Sequence, residues 1–454
     1  MHSVKQKASI VNHFLLLVAL IVASCQAQEE MLLVVSVSRH GARTPNVIMP
    51  FNASGSEQFK NTSNLLAHGF FQHSEIGKRA RQRYINEFKF LSTNYDSSQI
   101  FGIATDKERT QLSLLGQFYG LYPNNTSPVK DWVSAGNNNT GYKFTNLTAA
   151  ENLITRLSDS SCPLFKAVQN VVLASAPYTE TKSGYYKQYK SDLEKMINWN
   201  NITQLNFEDA CWYMYYAKDN SDLSLNFTTT PLSKSYCGAI VNMAMYELCR
   251  GLDIQWQLVS YEYLSQLLEF TQYLNGSKTT VDQLPTFWKY YKKNNQNNNK
   301  TLPKYMIYTS HQEVLLPLFK GLGWDVLKEP LVASALYVEF YKDYSTVIPQ
   351  TKVRVFFNDT PTAEGIKVPV NGKIESFSLQ DFGTFLEKQL SSFQFKNSVA
   401  DVCTNTAFNY GGSFYPAEEW KSKMVDLYPG LGSSSKYLAI SLFAGLSALF
   451  SILY

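Results

Sequence analysis

Met31-Leu-Leu-Val-Val-Ser-Val-Ser38 runs directly into Arg39-His40-Gly41-Ala42-Arg43-Thr44-Pro45. The octet is apolar and β-branched, which predicts a strand buried on both faces, and Gly41 and Pro45 stop it. One imidazole is thereby held at the carboxyl end of a strand with a guanidinium on either side. Open α/β sheets place their ligands at that end. Two cations that cannot lose their charge, flanking a titratable nitrogen, suit a tetrahedral dianion. A lone histidine is more often structural. An ordered Arg-His-Gly-x-Arg-x-Pro is rarely a chance match.

The heptapeptide resembles the signature of the histidine acid phosphatases, the branch of the histidine phosphatases that holds acid phosphatases and phytases. Three further segments resemble the same family in the right order. Gly69-Phe-Phe-Gln-His73-Ser-Glu-Ile-Gly77, with Arg81-Gln-Arg83-Tyr84 after it, is similar to the family's Gly-x-x-Gln-His-x-x-Leu-Gly helix. Thr105-Asp106-Lys-Glu-Arg109-Thr110, with Gly120-Leu-Tyr-Pro123 beyond, resembles the segment supplying a third phosphate-binding arginine. Tyr308-Thr-Ser-His311-Gln312-Glu313 stands where the family carries a second histidine and its proton donor, and Ala333-Ser334-Ala335-Leu336 with Glu339 and Val353-Arg354-Val355 resembles the strands that follow. The likeness spans about residues 31 to 360 with a divergent middle.

That resemblance implies an α/β fold of the phosphoglycerate mutase-like kind: a central mixed, mostly parallel sheet flanked by helices, with an inserted, mainly helical cap domain. It implies His40 as a nucleophile that becomes phosphohistidine. Arg39, Arg43 and Arg109 would grip the phosphate, with His311 as a fourth donor. It implies no metal and no cofactor, since the arginines supply the positive charge, and a disulfide between Cys162 and Cys403. One position departs from the pattern. Most members follow the second histidine with aspartate, and here Gln312 stands there; a neutral amide cannot donate a proton as an acid does. Glu313 is the nearest replacement and resembles the His-x-Glu arrangement of the family's inositol-polyphosphate phosphatases. The same carboxylate equally suits a helix N-terminus.

At 454 residues the chain can bury a large core, enough for one big α/β domain and an insertion. A net charge of +4 with scattered cations argues against nucleic acid as a partner. Lys5 and Lys7 precede an apolar run from Phe14 to Ala23 with small residues to Ala27, which predicts a secretory signal over residues 1–27. Residues 430–454 end in an apolar run from Tyr437 with no basic flank, which favours a GPI-attachment signal over a spanning anchor. The expected location is the secretory pathway: the outer cell surface or a lysosome-like compartment, with the membrane held through the C-terminal segment. Sequons begin at Asn52, Asn61, Asn125, Asn138, Asn146, Asn201, Asn226, Asn275, Asn299 and Asn358. Beyond Cys25 five cysteines remain, Cys162, Cys211, Cys237, Cys249 and Cys403, and export favours their pairing.

Residues 28–123 and 304–425 read as the α/β core, and 124–303 as the cap. Helical spacing recurs at Tyr185–Trp199, Ala239–Arg250 and Tyr261–Leu274, and the aromatic cluster Cys211-Trp-Tyr-Met-Tyr-Tyr216 reads as core. Tyr305–Tyr308 predicts a strand ahead of His311, and Pro317 predicts a bend or restart in the helix after it. His40 and His311 should then lie on neighbouring strands. The leading function is phosphomonoester hydrolysis at acidic pH on small-molecule substrates of broad range. The alternative is a weakly active or inactive surface protein that captures phosphorylated ligands in the same anion pocket.

Overall fold

The computed structural model describes residues 29–44, 63–123, 145–218, 230–293 and 300–431, apart from short breaks at 325, 327, 362–364, 375, 397, 413, 415–421, 425 and 429–430. The expected signal segment and, Leu431 aside, the expected C-terminal anchor lie outside these residues. Among the described residues no helix is long and apolar enough to cross a membrane.

The strands are β1 (Glu29–Arg39), β2 (Ile100–Ala104), β3 (Thr145–Asn146), β4 (Tyr305–Ser310), β5 (Ala335–Asp343), β6 (Gln350–Asn358), β7 (Ile366–Lys367) and β8 (Phe377–Ser378). The helices are α1 (Ala67–Ala80), α2 (Glu108–Leu121), α3 (Pro163–Leu173), α4 (Ala176–Ile197), α5 (Phe207–Lys218), α6 (Pro231–Arg250), α7 (Asp253–Leu274), α8 (Pro285–Tyr291), α9 (Gln312–Gly321), α10 (Leu379–Ser391) and α11 (Val399–Cys403). A π-helical stretch, Arg81–Glu87, continues α1.

All strands join one mixed sheet in the order β3-β2-β4-β1-β5-β6-β7, with β8 also on β6. Pairing is parallel among β1, β2, β3 and β4, and antiparallel from β5 outward. β1 alternates between two buried faces, as its apolar octet predicts. Val34 packs with Ile307, Ala104 and the helices α1 and α2, while Leu33, Val35 and Val37 pack with α7, α9 and α10. A third cluster is mainly helical: Tyr189, Phe207, Tyr236 and Met243 join α4, α5 and α6, with Met424 against them.

Two disulfides lock these layers. Cys162–Cys403 joins the start of α3 to α11, and Cys211–Cys237 joins α5 to α6 inside the helical cluster. Prolines open α3, α6 and α8, where the missing N–H costs no helical bond. Pro317 does not restart its helix: α9 is continuous across it, forfeiting the bond to the carbonyl of residue 313. Among the sequons, Asn201 and Asn275 are exposed, whereas Asn358 is buried at the end of β6.

Candidate active site

Parallel pairing of β1 with β4 sets Arg39 opposite Ser310, so the next residues, His40 and His311, leave adjacent strands at the same end. The His40 amide donates to the Ser310 carbonyl at 2.9 Å, which fixes the register at the exit. The two imidazole centroids stand 5.3 Å apart, edge to face. β2, parallel on the far side of β4, is followed by Thr105, and the first turn of α2 carries Arg109. The Thr105 hydroxyl lies 3.3 Å from Nε2 of His311, and Nη2 of Arg109 lies 3.5 Å from its Nδ1.

Nδ1 of His40 is 2.8 Å from the Gly41 carbonyl. A carbonyl only accepts, so Nδ1 carries the proton and Nε2 keeps its lone pair. Burial holds the His40 pKa well below its ordinary value, and Arg109, His311, Arg43 and Arg39 lower it further. His311 is depressed in the same way by burial, then by Arg109, Arg156, Arg43 and Arg39. Both rings are neutral bases in a positive field. That combination suits attack on an anion by an uncharged nitrogen.

Arg39 is fully buried, and its Nη1 donates to Oε1 of Glu329 at 2.7 Å and to the Pro330 carbonyl at 2.6 Å. Glu329 therefore offsets part of the Arg39 charge. Nη1 of Arg43 donates to the Thr44 carbonyl at 2.9 Å, with the guanidinium buried. Behind the loop, Nε2–H of His73 donates to the Arg39 carbonyl at 3.0 Å, and its Nδ1 accepts from Gln117 at 3.0 Å. Gln117 also donates to the Ser38 hydroxyl at 2.9 Å. Ser113 accepts the Gly41 amide at 3.1 Å, and Gln72 accepts that of Ala42 at 2.9 Å. The loop after β1 is thus held from α1 and α2 by polar side chains aimed at its backbone.

Gly41 is required sterically. A Cβ there would lie 2.2 Å from the carbonyl oxygen of Gly69, and one on Gly69 would lie 2.2 Å from that of Ala42. On the other side, Trp212 of α5 packs against Ala42 and Val332, so a helix of residues 163–291 reaches the site loop.

Gln312 and Glu313 begin α9. Gln312 is buried with its Nε2 against Met245 Sδ at 2.9 Å, and among the described residues its Oε1 makes no hydrogen bond. Glu313 is half-buried one residue further on, and among the described residues it makes no hydrogen bond. Sequence reading did not single out Glu329, Arg156 or the buried role of His73. Only His73 had a signal, its place in the Gln72-His73 pair.

A family model described as the histidine phosphatase superfamily (branch 2) matches residues 30–358. The lysosomal acid phosphatase of Bos taurus is 23% identical over 351 residues, 76% of this chain and 74% of the relative. The solved phytase from Citrobacter braakii superposes with a TM-score of 0.54 at 14% identity, covering 79% of this chain and 98% of that one. The phytase of Hafnia alvei in complex with tartrate gives 0.53 at 12% identity, covering 80% and 98%. At those identities the two solved structures are alike in fold.

Proposed function

We propose that this chain, which belongs to the histidine phosphatase superfamily (branch 2), hydrolyses phosphate monoesters through a covalent phosphate on His40. The family and the acid phosphatase relatives make it a phosphatase. The observation that carries the covalent step is the Nδ1–Gly41 hydrogen bond, which leaves Nε2 of His40 unprotonated at a strand end beside Arg109 and His311. Nε2 attacks phosphorus, the bond from phosphorus to the ester oxygen breaks, and that oxygen takes a proton. Water then attacks the phosphohistidine and releases phosphate. Arg39, Arg43, Arg109 and His311 would hold the non-bridging oxygens, fixed donors of a kind typically worth about 2–4 kcal/mol each in a transition state. The helices α4–α6, part of the expected cap over residues 124–303, supply Trp212 beside the loop and would select the alcohol.

Glu313 is our choice of proton donor, because Gln312 has no acidic proton to give. As an acid it protonates the leaving oxygen, and as a carboxylate it takes the proton of the attacking water. Glu313→Gln should lower turnover of alkyl phosphates at least about tenfold more than that of aryl phosphates, whose leaving groups need little protonation. Equal losses would rule out Glu313 as the donor to the leaving oxygen.

His40→Ala should abolish hydrolysis of p-nitrophenyl phosphate between pH 4 and 7 while the circular dichroism spectrum stays native. Rapid quenching of the native chain should trap an acid-labile phosphoenzyme. Absence of that species under turnover would count decisively against the covalent route. The buried Gln312 favours a second reading, an anion-binding surface protein without turnover, and the same assay separates the two. Two disulfides and the lysosomal relatives support a compartment of the secretory pathway, and we read residues 430–454 as its membrane anchor.

A further inference from the structure

Residues 153–155 form a bend between β3 and α3, and Asn152 fixes its shape. Its Oδ1 accepts from the amides of Thr155 at 2.9 Å and Arg156 at 3.1 Å, and from the Thr155 hydroxyl at 2.9 Å. Asn152 and Thr155 are both buried. The bend is fastened to the sheet by Ser310, whose hydroxyl donates to the Thr155 carbonyl. Ser310 immediately precedes His311. Arg156 therefore springs from a backbone pinned beside the second histidine.

The Arg156 side chain is 33% exposed, unlike the buried Arg39 and Arg43. Among the described residues it makes no hydrogen bond; its ion-pair contact is with Oδ1 of Asp106 at 3.8 Å, beyond hydrogen-bonding reach. Lys107 already stands 2.8 Å from Oδ2 of Asp106, so that carboxylate has a closer cation. Oδ1 of Asp106 is buried and among the described residues accepts no hydrogen bond. The positive field of Arg156 on His311 ranks behind only that of Arg109. A partly solvent-facing guanidinium, in loose ion-pair contact with Asp106, thus stands beside the second histidine.

We infer that Arg156 receives a second anionic group carried by the alcohol portion of the substrate, beside the pocket that holds the reacting phosphoryl group. The inference rests on the phosphatase reading of His40 and narrows it. Preferred substrates are phosphomonoesters whose leaving group bears a carboxylate or another phosphate. A planar guanidinium with donors available binds either group through paired N–H contacts.

Matched esters test this. 2-Phosphoglycerate and glycerol 2-phosphate differ by a carboxylate in place of a hydroxymethyl, and glucose 1,6-bisphosphate and glucose 6-phosphate differ by one phosphate. In the native chain kcat/KM should favour the more anionic member of at least one pair by about tenfold or more, the scale of one charge-assisted contact. Which pair responds tells carboxylate from phosphate. Arg156→Ala should bring the responding ratio close to one, and Arg156→Lys should keep part of it. A ratio that Arg156→Ala leaves unaltered in both pairs overturns the inference. The same ratios read as dissociation constants in the His40→Ala protein decide Arg156 without turnover. Failure of the native chain to hydrolyse any of the four esters would instead strike the hydrolase reading.

Discussion

Burial lowers the pKa of His73 to about 3, although its hydrogen bond to the Arg39 carbonyl pulls the other way. The ring is sealed between β1 and α2, where a second proton would displace the Gln117 donor on Nδ1. In the unfolded chain the same imidazole titrates near its ordinary value of about 6.5. Below that pH the unfolded state binds a proton that the native state refuses, so stability falls as pH drops from about 6.5 towards 3. One such group removes up to about 1.4 kcal/mol per pH unit across that window. His40 and His311 are depressed in the same direction and add to the slope. His73→Gln can still donate to the Arg39 carbonyl but has nothing to titrate. Denaturant unfolding at pH 7.0, 5.5 and 4.5 should show the variant losing less stability than the native chain, by close to one proton's worth of slope. Identical slopes would mean that His73 takes up its proton inside the fold.

Two backbones cross at Gly41 and Gly69, and that crossing sets how closely α1 approaches the site loop. The obstacle to a larger residue is a carbonyl oxygen rather than a flexible side chain, so relief requires moving the loop or the helix. Leu66 donates to the Ala42 carbonyl at 2.9 Å on the same seam, which ties the start of α1 to the loop. Gly41→Ala should destabilise the chain by about 1–3 kcal/mol, the usual scale of overpacking. It should also lower kcat more than tenfold, because His40 is the adjacent residue; full activity would show that the loop tolerates the shift. Elements of this kind were legible in the sequence. β1, β4 and the glycine stop declared themselves because a strand between two layers of helices must be apolar on both faces. The residues that escaped notice lack such a pattern. Arg156 stands on an irregular bend with no periodicity, and Glu329 meets Arg39 across 290 residues, a partnership that only the folded chain creates.

At the scale of the whole molecule, the parallel ladder between β1 and β4 brings His40 and His311 together, while the segment between them contributes most of the helices. That long connection is closed covalently. Cys162 and Cys403 are separated by 241 residues in sequence, and both are fully buried in the core cluster shared by the sheet, α7 and α9. The bridge clamps the start of α3, a few residues beyond Arg156, to α11 near the other end of the described chain. A crosslink over so long a loop restricts the unfolded ensemble strongly, and removing a native one typically costs about 2–5 kcal/mol. Cys162→Ser/Cys403→Ser together should therefore lower the unfolding midpoint measured by denaturant titration, with Cys211–Cys237 left intact. Turnover of glycerol 2-phosphate at 25 °C should survive, since strand register rather than the bridge aligns the two histidines. The preference for anionic leaving groups should weaken, because the Arg156 bend is anchored on one side by Ser310 and on the other by the clamped start of α3. If the double variant unfolds at the native midpoint, packing alone holds the start of α3 to α11. If it loses turnover of glycerol 2-phosphate as well, the bridge has a part in aligning the histidines that the β1–β4 ladder does not supply.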